Sequence, residues 1–341
     1  MLNRRISRRA TLRLLAGGGI ASVVAACGGG KNNGTNTSTS TPGPSAVSQT
    51  PTVSPTPAPL TVTPTATPGP FSTTPARVDQ NIDYGPNQGL ASALDIYYSS
   101  ANLNPAPLVI FVHGGSFTTG GKETIQNLTE FPELLSRGYT VASVNYRLGD
   151  QGMFPNPVYD VKAAIRFLRT NAATYGLDPD RFGAWGRSAG GYLVSMAGLT
   201  DPNDGLEGDE GNPGVSTRVT AVVDQFGPVD FSLLPPIVPL VEFLGPSAGS
   251  DPDLLNKASP VAYITADDPP FLVMQGELDP LVPLQQSQTI VQRLTAAGVP
   301  AQLVVVHNAG HDFNPIGGDI SPTETEIATM VGDFFDKHLK P

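Results

Sequence analysis

The sequence predicts an α/β fold in which a mostly parallel sheet is covered by helices on both faces, with at most a small lid. Two observations support this prediction. Short apolar runs alternate with stretches of helical periodicity, an order typical of such sheets. A pentapeptide with a serine between two glycines, at residues 186–190, lies between one of these runs and a helical stretch, which is a strand–turn–helix pattern.

The predicted elements follow the chain in order. Apolar runs rich in β-forming residues predict strands at 94–98, 108–112, 139–145, 181–185, 219–226, 271–275 and 302–306. Helical spacing of apolar residues predicts helices at 128–137, 158–175, 188–199, 284–297 and 324–339. Between these elements, residues 231–257 are the stretch that could form a small lid.

The N-terminal residues are typical of an export signal and a tether. Residues 1–26 contain a twin-arginine pattern, SRRATLR at 7–13, and an apolar run shorter than the roughly 20 residues of a membrane-spanning helix. The run ends in VAAC at 24–27, which resembles the lipobox of bacterial lipoproteins and predicts lipidation of Cys27 and attachment to the membrane through that lipid. A plain signal peptide with an incidental cysteine is the alternative.

Residues 27–76, rich in Gly, Ser, Thr and Pro, are too poor in apolar residues to fold. They are the predicted tether. The folded domain spans 77–341.

Charge and cysteine content exclude several classes of partner and site. The formal net charge is -10, and the basic residues of the first 26 positions make the rest more acidic still. We therefore expect no nucleic-acid partner and no binding of the domain to anionic lipid headgroups. Cys27 is the single cysteine, so the domain has neither a disulfide nor a thiolate metal site.

The pentapeptide GRSAG at 186–190 predicts the nucleophile. In a strand–turn–helix context this pattern places the serine on a strained turn that exposes its hydroxyl, and a side chain at either glycine would crowd the backbone. Ser188 is the predicted nucleophile, and the N–H of Ala189, at the helix N-terminus, is a predicted oxyanion donor. The alternative is a joint of small residues that serves packing alone.

The sequence HGG at 113–115 directly follows the strand predicted at 108–112. Glycines there let backbone N–H groups approach a substrate oxygen, so Gly114 and Gly115 are the other predicted oxyanion donors. A turn needed only for topology is the alternative. We interpret His113 itself as structural or orienting, because a general base should follow the last strands.

The acid and the base are expected in loops after the last two strands. Asp279 is the predicted acid, which holds the imidazole in its productive tautomer, and Glu277 is the rival carboxylate. His311 is the predicted base because it follows Gly310 in a loop and can turn toward Ser188. His307 is the alternative base, expected to lie too close to its strand to project freely.

No metal site is expected from these histidines, since the residues between them favour a loop. The acidic stretch at 201–212 lacks the alternation of an EF-hand and is interpreted as a solvated loop.

These residues, from about 77 to the C-terminus, resemble the α/β-hydrolase esterases related to hormone-sensitive lipase. The similarity is greatest to the branch called BD-FAE-like, named for bifunctional deacetylase and feruloyl esterase activity. The matching stretches are 94–97, 113–115, 144–148, 186–190, 219–230, 276–283 and 310–311. The resemblance implies the α/β-hydrolase fold, a triad of Ser188, Asp279 and His311, and oxyanion donors at Gly114, Gly115 and Ala189. It also implies hydrolysis of short-chain, acetyl-carbohydrate or feruloyl-carbohydrate esters without a cofactor.

One departure from the family and two other functions remain open. The sequence has Ser116 and Phe117 where relatives often carry Gly and Trp, which leaves the wall of the acyl pocket undefined. A peptidase related to prolyl oligopeptidases is one alternative, although those proteins usually carry a propeller or a long cap. A non-catalytic surface binding module is the other, although such proteins usually lack a triad residue.

Overall fold

The computed structural model describes residues 70–85, 89–234 and 238–341. The predicted export signal, Cys27 and the tether up to residue 69 lie outside the described residues. Near the start of the described residues, the N–H of Phe71 donates to the carbonyl of Ser136 at 3.0 Å. Phe71 precedes the first strand, which begins at Arg77.

Eight strands of the described chain form one sheet. They are β1 (Arg77–Asp83), β2 (Ala93–Tyr98), β3 (Ala106–Val112), β4 (Thr140–Val144), β5 (Leu177–Arg187), β6 (Ala221–Gln225), β7 (Phe271–Gly276) and β8 (Ala301–Val306). Their order across the sheet is β1-β2-β4-β3-β5-β6-β7-β8. Strand β2 runs antiparallel to both neighbours, and every other neighbouring pair is parallel. This mostly parallel sheet with its helices confirms the predicted α/β-hydrolase fold.

Helices follow most of the strands. The α-helices are α1 (Glu130–Ser136), α2 (Asn156–Thr170), α3 (Ala172–Tyr175), α4 (Ala189–Leu199), α5 (Val238–Leu244), α6 (Pro252–Ala258), α7 (Leu284–Ala296) and α8 (Glu324–Leu339). Short 3₁₀ helices lie at Gly89–Ser92, Lys122–Asn127, Gly149–Gln151, Pro202–Asp204, Phe231–Leu233, Pro260–Ala262 and His311–Phe313. No helix in the described ranges is both long enough and apolar enough to cross a membrane.

The alternation of side chains along the strands produces a core on each face of the sheet. Along β3, Ile110 packs into one core with helices α2, α4 and α7, whereas Phe111 packs into the other with α1 and α8. The ring of Trp185, on the neighbouring strand β5, lies 4.5 Å from the ring of Phe111. Helices therefore cover both faces of the sheet, and the ends of the strands are left for a functional site.

Three local features differ from the predicted elements. The helix predicted at 158–175 is divided into α2 and α3 at Asn171, whose backbone has φ -98° and ψ 15° and whose side-chain amide also donates to the carbonyl of Phe167, at 2.8 Å. Strand β5 is longer than predicted and begins at Leu177. Strand β1 was not predicted, because its residues are mostly polar and exposed at the edge of the sheet.

The acidic loop at 201–212 is attached to the domain, and its interpretation as a simply solvated loop was wrong for Glu207. The carboxylate of Glu207 pairs with Lys162 and Arg166 of α2, which are both almost completely buried. The hydroxyl of Thr217 also donates to Glu207 at 2.9 Å. Glu207 therefore neutralises two cations that the core would otherwise enclose without a counter-charge.

The segment considered as a lid carries α5 and α6 and packs against the loop after β3. Phe243 of α5 is 1 % exposed, and its ring is stacked on that of Phe117 with centroids 3.7 Å apart and planes 10° apart. The N–H of Phe154 also donates to the carbonyl of Phe243 at 2.9 Å. In this structure α5 is therefore held against the loop that carries Gly114 and Gly115.

Candidate active site

Ser188 lies on a sharp turn between β5 and α4. Its backbone has φ 53° and ψ -120°, a conformation that is costly for any residue other than glycine. A Cβ at Gly186 would overlap the carbonyl of Gly190, and a Cβ at Gly190 would overlap that of Val112. The N–H of Ser188 donates to the carbonyl of Gln225 on β6 at 2.8 Å. The two glycines and the neighbouring strand therefore hold the serine on the strained turn.

The side chains of Ser188, His311 and Asp279 form one chain of hydrogen bonds. His311 Nε2 lies 2.9 Å from Ser188 Oγ, and its Nδ1 lies 2.7 Å from Asp279 Oδ2. Because an ionised carboxylate can only accept, Nδ1 carries the imidazole proton and Nε2 is free to accept from the hydroxyl. The Asp279 side chain is fully buried, whereas that of His311 is 14 % exposed. The imidazole is thus oriented from its buried side and open to a substrate on the other.

Asp279 is held by donors on both carboxylate oxygens. The backbone N–H groups of Leu281 and Val282 donate to Oδ1 at 2.8 and 3.0 Å. The side-chain amide of Gln275 donates to Oδ2, the oxygen that also accepts from His311, at 2.8 Å. These charge-assisted bonds stabilise the negative charge inside the protein and fix the direction of the carboxylate.

The rival carboxylate and the alternative histidine pair with each other instead. Glu277 Oε2 lies 3.1 Å from His307 Nδ1, and the two side chains are 43 % and 58 % exposed. The backbone of His307 pairs with Ser321 at the sheet edge, which directs its imidazole into solvent. The expectation that His307 cannot project freely was therefore wrong. The structure nevertheless brings His311, and not His307, to Ser188.

The HGG turn lies directly beside the serine. A Cβ on Gly114 would be 2.9 Å from the carbonyl oxygen of Arg187 and 3.2 Å from Ser188 Cβ, so only glycine fits without displacement. Gly115 has φ +122°, which disfavours any other residue. Ala189 is the first residue of α4, so its N–H has no acceptor within the helix. The turn at Gly114 and the first residue of α4 therefore both lie beside the serine.

The buried side chain of His113 supports the HGG turn from the protein interior. The side chain is fully buried and stacked on Tyr146, with ring centroids 4.4 Å apart. Its Nδ1 lies 2.7 Å from the carbonyl oxygen of Gly114, and the hydroxyl of Tyr146 donates to the carbonyl of His113 at 3.0 Å. Burial lowers the pKa of His113, so the ring is neutral at pH 7. Its position is that of a structural residue.

Sequence reasoning missed several side chains around the imidazole. The ring of Phe226 meets His311 edge to face at 4.9 Å, and Gln275 supports Asp279 as described above. Arg187, the residue before the serine, donates to the backbone carbonyl of Asp312 at 3.2 Å. The contacts of Phe226 and Arg187 join segments that are far apart in the chain, so no local pattern indicated them. Gln275 is only four residues from Asp279, and its contact depends on the turn between the two.

A cluster of aromatic side chains borders the site on the side of α5. Tyr192, one helical turn after Ser188, has its ring 5.4 Å from those of Phe117 and Phe243. Phe231 adjoins Tyr192, with ring centroids 5.2 Å apart. The buried Tyr192 hydroxyl has no hydrogen-bond partner among the described residues. These rings form a buried aromatic cluster that begins one helical turn after Ser188.

The arrangement has the chemical parts of nucleophilic catalysis: a hydroxyl, an imidazole that can take its proton, a buried carboxylate, and nearby backbone donors. Within the described part of the chain, no group of three or more His, Cys, Asp or Glu side chains is arranged to hold a metal ion.

The chain is similar in sequence to proteins that are named as esterases or ester hydrolases. The chain is 34% identical to esterase LipC of Mycobacterium tuberculosis over 253 residues, which are 71% of this chain and 62% of LipC. It is 37% identical to the probable carboxylic ester hydrolase LipM of the same organism, over 63% of this chain and 51% of LipM. The chain thus spans between half and two thirds of these relatives.

A solved structure described as a truncated carbohydrate esterase from gut microbiota superposes with a TM-score of 0.70 at 29% identity. The match covers 79% of this chain and 98% of that one. A sequence model of the BD-FAE family matches residues 94–294, which is more than half of the chain and includes Ser188 and Asp279. The protein therefore belongs to the BD-FAE family.

Proposed function

We propose that the protein is a serine esterase that hydrolyses carboxylic esters through an acyl-enzyme on Ser188. The observation that carries the proposal is the continuous hydrogen-bonded chain from Asp279 through His311 to Ser188. The relatives named as esterases support the same reaction class. The presence and alignment of all three side chains count against a non-catalytic binding module.

In the first half of the reaction, His311 Nε2 takes the hydroxyl proton of Ser188 as the oxygen attacks the ester carbonyl. Asp279 holds the imidazole in the required tautomer and stabilises its positive charge. The N–H groups of Gly114, Gly115 and Ala189 donate to the oxyanion of the tetrahedral intermediate. His311 then gives the proton to the leaving alcohol, and the acyl group remains on Ser188.

The second half repeats these steps with water as the nucleophile. His311 takes a proton from the water molecule as it attacks the acyl-enzyme, and the same backbone donors receive the second oxyanion. Collapse of this intermediate returns the proton to Ser188 and releases the acid. Every proton transfer is accounted for by His311, so the scheme needs no metal or cofactor.

The proposed substrates are short-chain acyl esters and acetyl or feruloyl esters of carbohydrates. The similarity to a carbohydrate esterase supports this class, and BD-FAE membership agrees with it. Phe117, which follows the HGG turn in the chain, is buried against Phe243, and this packing is proposed to limit the space for a long acyl chain.

The proposed location follows from the N-terminal sequence alone. The twin-arginine pattern and the sequence VAAC at 24–27 support export and attachment to the cell membrane through a lipid on Cys27. Labelled fatty acid should be incorporated into the wild type and not into Cys27→Ser. Equal labelling of both proteins, or of neither, would contradict the anchor.

Hydrolysis of p-nitrophenyl acetate tests the proposed reaction. Ser188→Ala, His311→Ala and the double variant should each lose activity to about the same extent, because the two side chains act as one unit. His307→Ala is the matched control and should retain full activity, since its imidazole pairs with Glu277 at the surface. An active Ser188→Ala enzyme, or a loss in His307→Ala as large as in His311→Ala, would refute the proposal.

A further inference from the structure

The turn that carries His311 is strained. Asp312 and Phe313, the two residues after the histidine, both have φ 57°, which is unusual for an aspartate and a genuine outlier for a phenylalanine. Asn314 closes the turn with backbone hydrogen bonds to His311 and Gly310. Such a conformation persists only where surrounding contacts over-determine it. The residues that supply those contacts also determine where the imidazole points.

Arg187 contacts the turn at two points and the neighbouring ring of Phe226 at a third. Its Nη2 donates to the backbone carbonyl of Asp312 at 3.2 Å. Its guanidinium carbon lies 5.1 Å from the ring centre of Phe226 and 5.9 Å from that of Phe313. Phe226 in turn meets both His311 and Phe313 edge to face, each at 4.9 Å.

Arg187 maintains these contacts at a cost. Its Nε is buried and has no hydrogen-bond partner among the described residues, and the side chain is only 15 % exposed. The Asp312 carboxylate, 3.9 Å from Nη2, is 59 % exposed and gives a weak surface pair. An unpaired buried donor in a native protein requires an explanation, and the contacts of this guanidinium with the His311 turn offer one.

We propose that Arg187 is a positioning residue that holds the His311 turn, so that Nε2 stays within hydrogen-bonding distance of Ser188. Arg187 directly precedes the nucleophile on β5, so one backbone segment sets both the hydroxyl and the turn that carries the base. This inference rests on the proposed esterase reaction. Arg187 acts through the carbonyl of Asp312 and the rings of Phe226 and Phe313, and it does not touch the substrate.

Kinetics of Arg187→Gln, with Arg181→Gln as the control, test the inference. Arg181 lies on the same strand, and its Nε lies 2.6 Å from Asp178 near the other strand end. Because a misplaced catalytic group costs up to about 100-fold, kcat of Arg187→Gln should fall roughly 10- to 100-fold, with KM for p-nitrophenyl acetate within about twofold. Arg181→Gln should match the wild type.

Arg187→Lys provides a second variant. Lysine can still donate to the Asp312 carbonyl but cannot stack a planar cation on the two rings, so its kcat should lie between those of the wild type and Arg187→Gln. An unchanged kcat in Arg187→Gln, or a raised KM with normal kcat, would overturn the inference. An inactive wild type would instead refute the esterase reaction itself.

A proton NMR measurement reads the position of His311 without turnover. The Nδ1 proton shared with Asp279 should give a far-downfield signal in the wild type and in Arg181→Gln. In Arg187→Gln the signal should weaken or broaden, because the imidazole is no longer held at one position. A signal identical to that of the wild type would show that Arg187 only packs against its neighbours and would overturn the proposed role.

Discussion

Asp224 lies on β6, beneath the helix that begins after Ser188, and its carboxyl group is completely buried. It accepts hydrogen bonds from the hydroxyl of Ser195 and the N–H of Gly227, both at 2.9 Å, and both donors are neutral. Burial without a counter-charge raises the pKa of Asp224 from 3.8 to about 6. The native protein should therefore be less stable once this group ionises.

The size and sign of the effect follow from proton linkage. One pKa unit corresponds to about 1.4 kcal/mol, so a shift of this size corresponds to roughly 3 kcal/mol. Between about pH 4 and pH 6 the folded protein keeps a proton that the unfolded chain has lost. This contribution to the free energy of unfolding therefore falls as pH rises through that window, and the full loss remains above it.

Asp224→Asn removes this dependence. Asparagine keeps an acceptor for Gly227, and rearrangement of the Ser195 hydrogen bond adds an offset of about 1 kcal/mol that does not vary with pH. The free energy of unfolding of the wild type and the variant is measured in urea at several values between about pH 4 and pH 8. As pH rises, the difference between the two should therefore change in favour of the variant by up to ~3 kcal/mol.

Asp95→Asn is the matched control. Asp95 is also a buried strand aspartate, but it pairs with Lys122 at 2.8 Å. Its replacement leaves the buried cation with only the exposed carboxylate of Glu123, and should cost less at neutral pH than the roughly 3–5 kcal/mol of a buried charge with no partner. If the difference between Asp224→Asn and the wild type does not vary with pH, or favours the wild type increasingly as pH rises, the argument from burial is wrong.

Two further predictions concern catalysis and selectivity. Asp279→Asn should fold but lose kcat by a factor of order ~10⁴, because the imidazole favours the wrong tautomer. Glu277→Gln should change kcat little in the same assay, and the reverse ranking would identify Glu277 as the acid. Phe243→Leu should open space beside Phe117 and raise the rate on octanoyl relative to acetyl p-nitrophenyl esters, and an unchanged ratio of the two rates would show that this stack does not limit acyl size.

The sequence predicted the elements and residues that depend on local patterns. The parallel strands are continuous apolar runs, and Ser188 lies in a pentapeptide whose glycines have a local steric reason. The prediction of Asp279 and His311 used only their place after the last strands. The chain brings both to Ser188 because parallel strands end at one edge of the sheet.

Features that depend on contacts between distant segments could not be predicted in this way. Arg187 and the carbonyl that it contacts are 125 residues apart, and nothing in the pentapeptide indicates which way the arginine points. Glu207 looked like part of a solvated acidic loop, because no local pattern shows that Lys162 and Arg166 are buried beneath it. The interpretation of His307 failed because its strand pairing with Ser321 directs its ring outward.

The proposed reaction requires the hydroxyl of Ser188 to form the acyl-enzyme. A fluorophosphonate probe followed by peptide mass spectrometry tests it directly, on the wild type and on Ser188→Ala. We expect one adduct per chain, located on Ser188 and absent from the variant, with loss of p-nitrophenyl acetate hydrolysis in proportion to labelling. An adduct on a different residue, or hydrolysis that persists when Ser188 is fully modified, would contradict it.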